Sequence, residues 1–413
     1  MDENLSSNES NKEKTKGKLM KGFKRKIIMI GVCLCCLTGC WDKVEINQLA
    51  IGELVGVDLE PDTREMIAYY QIVNPEAVAA QKVSGIKSPV YTYRVQAPSI
   101  AELGMKAAEI LPRMLFPDQY QSEIITERFA RQGLQPFLNL YERQYNRRSN
   151  LYLFITDSPL SDVMMTYPPL ERLPGRSLRS LIEFQSETTG RVSKKSRIKD
   201  LVENMETSVL TVMPMLRLSG SEPLSTTDRY EQINANEGNL ILSGGAVFKH
   251  DRMIGKLKLK QMVYYVLLKG ESEVFFESVT VNGRKVDLQA TKPKVHKRLY
   301  IISGDPVWKI DISTRLVILN NEQKKDLTLE NMAEIIEAFN KQVQEKTTDL
   351  YQDSIRKEWD LFGLEDKIKY KRGKEWKVLQ KQKNAWNQTK LQLSVKSKIT
   401  DIGEIINPYK GGK

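Results

Sequence analysis

The chain has 413 residues, 63 Lys and Arg against 52 Asp and Glu, a net charge of +11, 40% apolar and 28% charged residues. That composition excludes a disordered polymer and a membrane-embedded chain, and the length fits two or three globular domains. The charge is uneven. Residues 1–39 hold eight Lys/Arg and four Asp/Glu, residues 367–413 hold thirteen and three, and residues 40–366 hold 42 and 45. A near-neutral body therefore precedes a strongly basic tail.

At the N-terminal end, Lys21, Lys24, Arg25 and Lys26 precede an apolar run, Ile27 to Leu37, that leads into Leu37-Thr38-Gly39-Cys40. A charged n-region, a short h-region and small residues before a cysteine form a bacterial lipoprotein signal. The run is too short to span a bilayer, which takes roughly 17–25 residues. An uncleaved signal anchor is the alternative. The expectation is that residues 1–39 are removed and that Cys40 carries a diacylglycerol thioether and an N-acyl chain. At about 0.8 kcal/mol per buried methylene, more than one acyl chain makes a stable anchor. Translation can begin at Met1 or at Met20. All four cysteines (Cys33, Cys35, Cys36, Cys40) lie in this segment, so the mature fold has no disulfide to lean on.

Beyond Cys40, Leu49 to Leu59 and Met66 to Val73 read as strands of a hairpin turning at Glu60-Pro61-Asp62. Tyr91 to Gln96 alternates as a third strand. Pro98-Ser99-Ile100-Ala101-Glu102 opens a capped amphipathic helix that ends by Pro112. Ser122 to Phe129 is strand-like, Leu134 to about Gln144 is helical, and Leu151 to Thr156 is apolar enough for a strand buried on both faces. This succession argues for a strand–helix–strand crossover in a mixed sheet. Pro168-Pro169 and Pro174-Gly175 read as a loop, and Ser186 to Lys199 as a domain edge.

Val209 to Leu218 and Leu240 to Phe248 are the next strands, with a hairpin turn at His250-Asp251 and a short helix near Leu259 to Leu268. Val274 to Val281, Val295 to Ile302 and Val307 to Ile318 follow as strands. Thr328 to Phe362 is the longest helix, with Met332, Ile335, Ile336, Phe339, Val343, Leu350 and Ile355 on one stripe and Gly363 as terminator. Leu391 to Ile399 is a last half-buried strand. The fold class expected is α+β (mixed α/β), with a mixed sheet and helices N-terminally and an antiparallel sheet on one long helix C-terminally. The domains expected are 40–195, a small middle α/β domain over 196–270, and 271–413 with the basic tail.

Motifs for chemistry are sparse. His250 and His296 are the two histidines, and neither has a cysteine or carboxylate at metal-ligand spacing. Gly244-Gly245 has no following Gly-Lys-Ser/Thr and reads as a bulge or turn. No Gly-x-Ser-x-Gly elbow occurs. No pair of carboxylates stands out for glycosidase work. Catalytic, cofactor and metal residues are accordingly assigned as none, and the chain reads as a binding or structural module. The basic tail, with Lys367, Lys369, Lys371, Arg372, Lys374 and Lys377 beside Tyr370 and Trp376, suits an anionic membrane surface, worth roughly 1 kcal/mol per cation, or is a solvated helix face. Nucleic acid is not the expected partner, since the aromatic and glycine patterns of such modules are missing.

Several segments resemble the spore germinant-receptor C subunits, the Ger(x)C lipoproteins. They are Cys40-Trp41-Asp42-Lys43-Val44-Glu45-Ile46-Asn47-Gln48-Leu49-Ala50, Val55-Gly56-Val57-Asp58, Ile72-Val73-Asn74-Pro75 and Phe129-Ala130-Arg131-Gln132-Gly133-Leu134. Gly244-Gly245-Ala246-Val247-Phe248-Lys249, Met253-Ile254-Gly255, Asp360-Leu361-Phe362-Gly363 and Trp376 continue the likeness. Pro117-Asp118-Gln119-Tyr120 stands where a Gly-His pair is expected, and Asp360-Leu361-Phe362-Gly363-Leu364 lacks a second glycine. The resemblance implies three consecutive α/β domains and a non-enzymatic subunit of a nutrient receptor. It would be lipid-anchored on the outer face of the spore inner membrane beside two polytopic subunits of A and B type. It would not bind the nutrient by itself. The alternative from another class is a solute-binding lipoprotein of a transporter, a two-lobed clamp with repeated βα units in each lobe.

Overall fold

The computed structural model describes residue 29 and residues 44–79, 87–143, 149–168, 170–220, 238–323, 327–382 and 384–403. Cys40 and the rest of the expected signal, apart from Met29, lie outside the described residues. The chain divides into two compact units, 1–49 and 50–413, and the second carries the architecture described below.

A nine-stranded mixed sheet is built from β1 (Leu49–Leu59), β2 (Met66–Val73), β3 (Val90–Ala97), β4 (Met114–Phe116), β5 (Ser122–Thr126), β6 (Tyr152–Thr156), β7 (Thr211–Leu218), β8 (Leu240–Lys249) and β9 (Arg252–Lys258). Its order is β3-β2-β1-β5-β6-β7-β8-β9, with β4 also on β1. The central strands β1, β5, β6 and β7 run parallel, and antiparallel hairpins close both sides. The sheet runs without a break past residue 195. Parallel strands need long crossovers, and helices fill the connections of this sheet, including those from β5 to β6 and from β6 to β7. These are α1 (Pro75–Ala79), α2 (Ile100–Ile110), α3 (Glu127–Gln132), α4 (Gln135–Arg143), α5 (Leu160–Met164), α6 (Pro174–Thr188) and α7 (Ile198–Glu203).

Because side chains alternate across a strand, β5 and β6 feed two cores. Ile125, Leu153 and Ile155 pack with Phe129, Phe137 and Leu138 on one face, whereas Ile124 and Phe154 pack with Leu160, Val163 and Ile182 on the other. Leu151 to Thr156 is thus buried on both faces, as its apolar run predicts. Ser99 caps α2, its side chain accepting from the Glu102 amide, while the Glu102 carboxylate accepts from the Ser99 hydroxyl at 2.8 Å in place of the backbone amide of a full capping box.

One helix the sequence reading misses is α6, taken there for a loop followed by a polar edge. Its signal was Pro174 at the first helical position, where a missing N–H costs nothing. What completes its start is remote: buried Glu53 of β1 accepts from the Gly175 and Arg176 amides, both at 2.7 Å. Burial pushes the Glu53 carboxyl up, opposed by those two amides. Tyr120, after the Pro117–Gln119 turn of 3-10 helix, is buried against β1, and a Cβ on Gly52 would come within 2.2 Å of its ring.

The second sheet has the order β10-β11-β12-β13, made of β10 (Val274–Val281), β11 (Arg284–Ile302), β12 (Asp305–Asn321) and β13 (Lys390–Asp401). Helix α8 (Leu259–Lys269) leads into it, and α9 (Leu329–Arg356), α10 (Leu364–Lys369) and α11 (Lys374–Leu379) lie between β12 and β13. Three strands are antiparallel as expected, and β13 adds in parallel to β12, because a chain returning through a long helix re-enters the sheet in the same direction. Helix α9 is shorter than the stripe suggested. It has 28 residues, about 42 Å at 1.5 Å per residue, and ends at a turn in which Glu358 takes φ 54°.

Ile335, Phe339 and Val343 are fully buried, whereas Ile336 is only half-buried. Phe339 stacks on Phe275 of β10 with ring centroids 6.0 Å apart. The Phe339→Ala variant is expected to lose about 3–5 kcal/mol of stability, the cost of a large cavity in a core that cannot collapse around it. Denaturant unfolding measures it, and a loss under 1 kcal/mol would show that the stripe does not seat the sheet.

Candidate functional site

The connections after β5 and β6 leave the sheet on opposite faces: α3 and α4 join one core, α5 and α6 the other. Adjacent strands whose crossovers diverge open a crevice at their carboxyl ends, the usual ligand position in open α/β sheets. Here that crevice has a volume of about 730 Å³, lined by residues such as Asp58, Thr126, Glu127, Arg128, Arg131 and Asp157. Val-Gly-Val-Asp and Phe-Ala-Arg-Gln-Gly-Leu, two of the segments that carry the resemblance, contribute Asp58 and Arg131 to it.

The polar groups are committed to one another. Asp58, at the end of β1, is buried and accepts from Thr126 Oγ1 and from Arg128 Nη2 and Nε, the last two at 2.5 and 3.2 Å. Thr126 in turn caps α3 by accepting from the Phe129 amide. Arg131 pairs with Glu127 at 2.7 Å. Lys256 of β9 bridges Glu127 at 2.5 Å and Asp157 at 3.1 Å, and Arg217 of β7 holds Asp157 through two bonds of 2.6 and 3.1 Å. Arg94, also in the lining, donates to Gln96 at 2.9 Å. The pairs form two sets, one tying β1 to α3 through Asp58 and one tying α3, the end of β6, β7 and β9 through Glu127 and Asp157.

Arg217, and after it Lys256, hold the Asp157 carboxyl below the usual carboxylate range. A depressed folded-state value contributes stability above the unfolded carboxylate pKa of about 3.9, lost as pH falls through the folded value. Arg217→Ala should therefore raise the Asp157 pKa in an NMR titration. Its stability deficit should be full near pH 7 and shrink as pH falls through about 4. A deficit that does not change with pH would exclude this pairing as its source.

The other segments of the resemblance sit at joints. Asn74 is buried and donates to Ser88 O at 3.0 Å. Gly133 ends α3 at φ 117°, where a Cβ would also meet Asp251 at 2.7 Å, and the hairpin residue Asp251 accepts from the Leu134 and Gln135 amides. Asp360-Leu361-Phe362-Gly363 forms a clasp. The Asp360 carboxylate caps α10 through the Leu364 and Glu365 amides at 2.7 and 2.9 Å, its carbonyl accepts from Leu210 beside β7, and Phe362 packs 5.0 Å from Trp308 of β12. Gly255 of β9 lets Trp359 lie on the strand, for a Cβ would approach its ring to 2.2 Å.

The histidines are apart. His250 takes φ 55° in the hairpin turn, with Nδ1 2.6 Å from Met205 O, while His296 sits on β11 opposite Asp311. Among the described residues no group of three or more His, Cys, Asp and Glu side chains is placed to hold a metal ion, and no helix is long and apolar enough to cross a membrane. The described part of the basic tail, residues 367–382 and 384–403, is folded. Gly373 separates α10 from α11, and Leu364, Ile368 and Leu379 are buried. The sequence reading did not connect Lys367 to β12, yet its Nζ lies 5.8 Å from the Trp308 ring centroid.

Residues 42–218 match the family described as Spore germination protein N-terminal domain, and residues 243–403 match Spore germination B3/GerAC like, C-terminal. The chain is 23% identical over 398 residues to Spore germination protein KC of Bacillus subtilis (strain 168), covering 91% of this chain and 94% of that one. It is 21% identical to Spore germination protein A3 of the same organism, over 55% of this chain and 56% of that one. The crystal structure of the GerBC protein superposes with a TM-score of 0.54 at 14% identity, covering 84% of this chain and 97% of that one, which shows a shared fold. Two family matches in sequence order, a full-length relative and a common fold agree: the chain belongs to the Ger(x)C family of spore germinant-receptor subunits.

Proposed function

We propose that this subunit is a lipoprotein, anchored through Cys40 to the outer face of the spore inner membrane, that supports assembly or signalling of a nutrient germinant receptor beside two polytopic subunits of A and B type. The observation that carries the reading is the lipobox Leu37-Thr38-Gly39-Cys40, which directly precedes the segment, from residue 42, that matches the germination family. The site supports a non-enzymatic role. Most of its charged side chains are bound to each other, and most residues of the resemblance serve as joints between elements. The nutrient, on this reading, is not bound by the subunit alone. Against a two-lobed solute clamp stands the C-terminal half, a four-stranded sheet with a 28-residue helix in place of a second set of βα units.

Cys40→Ala is expected to shift the protein from the detergent phase to the aqueous phase in a phase-partitioning experiment, with loss of receptor function in germinating spores, since acylation supplies the stable anchor. A variant that still partitions into detergent would overturn the anchor. Micromolar binding of amino acids or sugars by the purified wild-type subunit would overturn the non-binding role.

A further inference from the structure

A groove of about 460 Å³ opens where β11, beyond its pairing with β10, faces the segment that follows α9. Lys297 of β11 lines it together with Lys367, Tyr370 and Lys371, over Trp308, while Arg298 and Tyr300, which alternate to the other face of β11, bond to each other at its edge. Three lysines line the groove, and no carboxylate is among the described residues that line it. Two of the ammonium groups are fixed by uncharged partners. Lys297 Nζ donates to the Leu268 and Lys269 carbonyls, at 2.9 and 3.0 Å, at the end of α8, and Lys367 Nζ donates to the Phe362 carbonyl over the face of Trp308.

The acids nearest these amines are engaged elsewhere. Asp360 caps α10, Glu271 holds Ser193 and Lys195, and Asp366 accepts from the Ser208 amide. None of these acids lines the groove, although Asp360 and Asp366 act on Lys367 from outside it. Burial, with Lys367, Lys269 and Lys195 nearby and only Glu271 opposing, pushes the Lys297 amine down to about 8. Burial, and then Lys269, also lower Lys367, opposed by Asp360 and Asp366. Such a gathering costs stability unless an anion neutralises it.

We propose that this groove binds a phosphoryl group. A phosphoryl group brings one negative charge as a diester and about −1.5 to −2 as a monoester, with two or three strong acceptor oxygens, and lysine serves as a point-charge partner for phosphate. Tyr370, 76% exposed, supplies a hydroxyl donor at the rim. The phosphoryl group can come from a phospholipid headgroup or from a soluble phosphate ester. The groove does not depend on the Cys40 anchor.

The test is amine labelling of the full chain at pH 7, read by mass spectrometry lysine by lysine. It is run with inorganic phosphate, with chloride at equal ionic strength, and with vesicles of phosphatidylcholine alone or mixed with phosphatidylglycerol. An anion in the groove raises the amine pKa, and a rise of about one pH unit lowers the reactive fraction roughly tenfold. We expect phosphate or phosphatidylglycerol to slow labelling of Lys297, Lys367 and Lys371 by about that factor, with Lys374 and Lys377 unchanged. Lys371→Gln, an exposed position, should remove most of the protection of Lys297 and Lys367 without changing the melting temperature. Protection by phosphatidylglycerol but not by inorganic phosphate assigns a lipid headgroup, and protection by inorganic phosphate assigns a soluble ester. Equal protection of all five lysines, protection matched by chloride, no protection, or a Lys371→Gln variant whose Lys297 and Lys367 are protected like wild type would each overturn the proposal.

Discussion

Helix α8 is the element on which the rest depends. A helix apolar on all sides can exist only where it is covered on all sides, and Met262, Tyr264, Tyr265, Val266, Leu267 and Leu268 are all buried. Their cluster includes Val212, Val247 and Leu257 of the first sheet, Val279, Leu288, Trp308 and Ile310 of the second, and Ile335 and Phe339 of α9. One core thus unites two sheets that share no strand. Among its polar neighbours is Glu277, a buried carboxylate that accepts from Tyr264, Gln342 and Lys346. Burying such a charge is tolerable only with its lone pairs filled, and filling them joins α8, β10 and α9.

The same logic explains where the family signature falls. Replacement costs most where packing or backbone geometry is tightly fixed. Gly133, Gly255 and the Asp360–Gly363 clasp each sit where two elements from distant parts of the chain meet, and Asn74 ties the end of β2 to the segment that enters β3. The clasp draws the basic segment onto the core, so that Lys367 becomes part of the wall over Trp308 while Lys374 and Lys377 stay on the short outer helix.

The crevice and the groove show two outcomes of gathering charge. In the crevice, acids and bases from five elements neutralise one another, and the result is structural. In the groove, cations meet with their nearest acids committed elsewhere, and the result is a demand for an external anion. A charge census along the chain does not separate these cases, because each depends on which carboxylate the fold brings within reach.

Much was nonetheless legible in the sequence. The hairpin β1–β2, the doubly buried β6, the Ser99 cap, the turn at His250 and the stripe of α9 follow from local periodicity and turn chemistry, which act over a few residues. The family resemblance was equally local. Helix α6 was missed because its start is completed by Glu53, more than a hundred residues away. The parallel entry of β13 was hidden because strand direction is set by the route of the connection, not by the strand's own pattern. The pairing of Asp58 with Arg128 and Thr126, and the meeting of Lys297 with Lys367, were decided by tertiary structure alone. Electrostatic pairing depends on distance in space, and sequence separation carries no record of it.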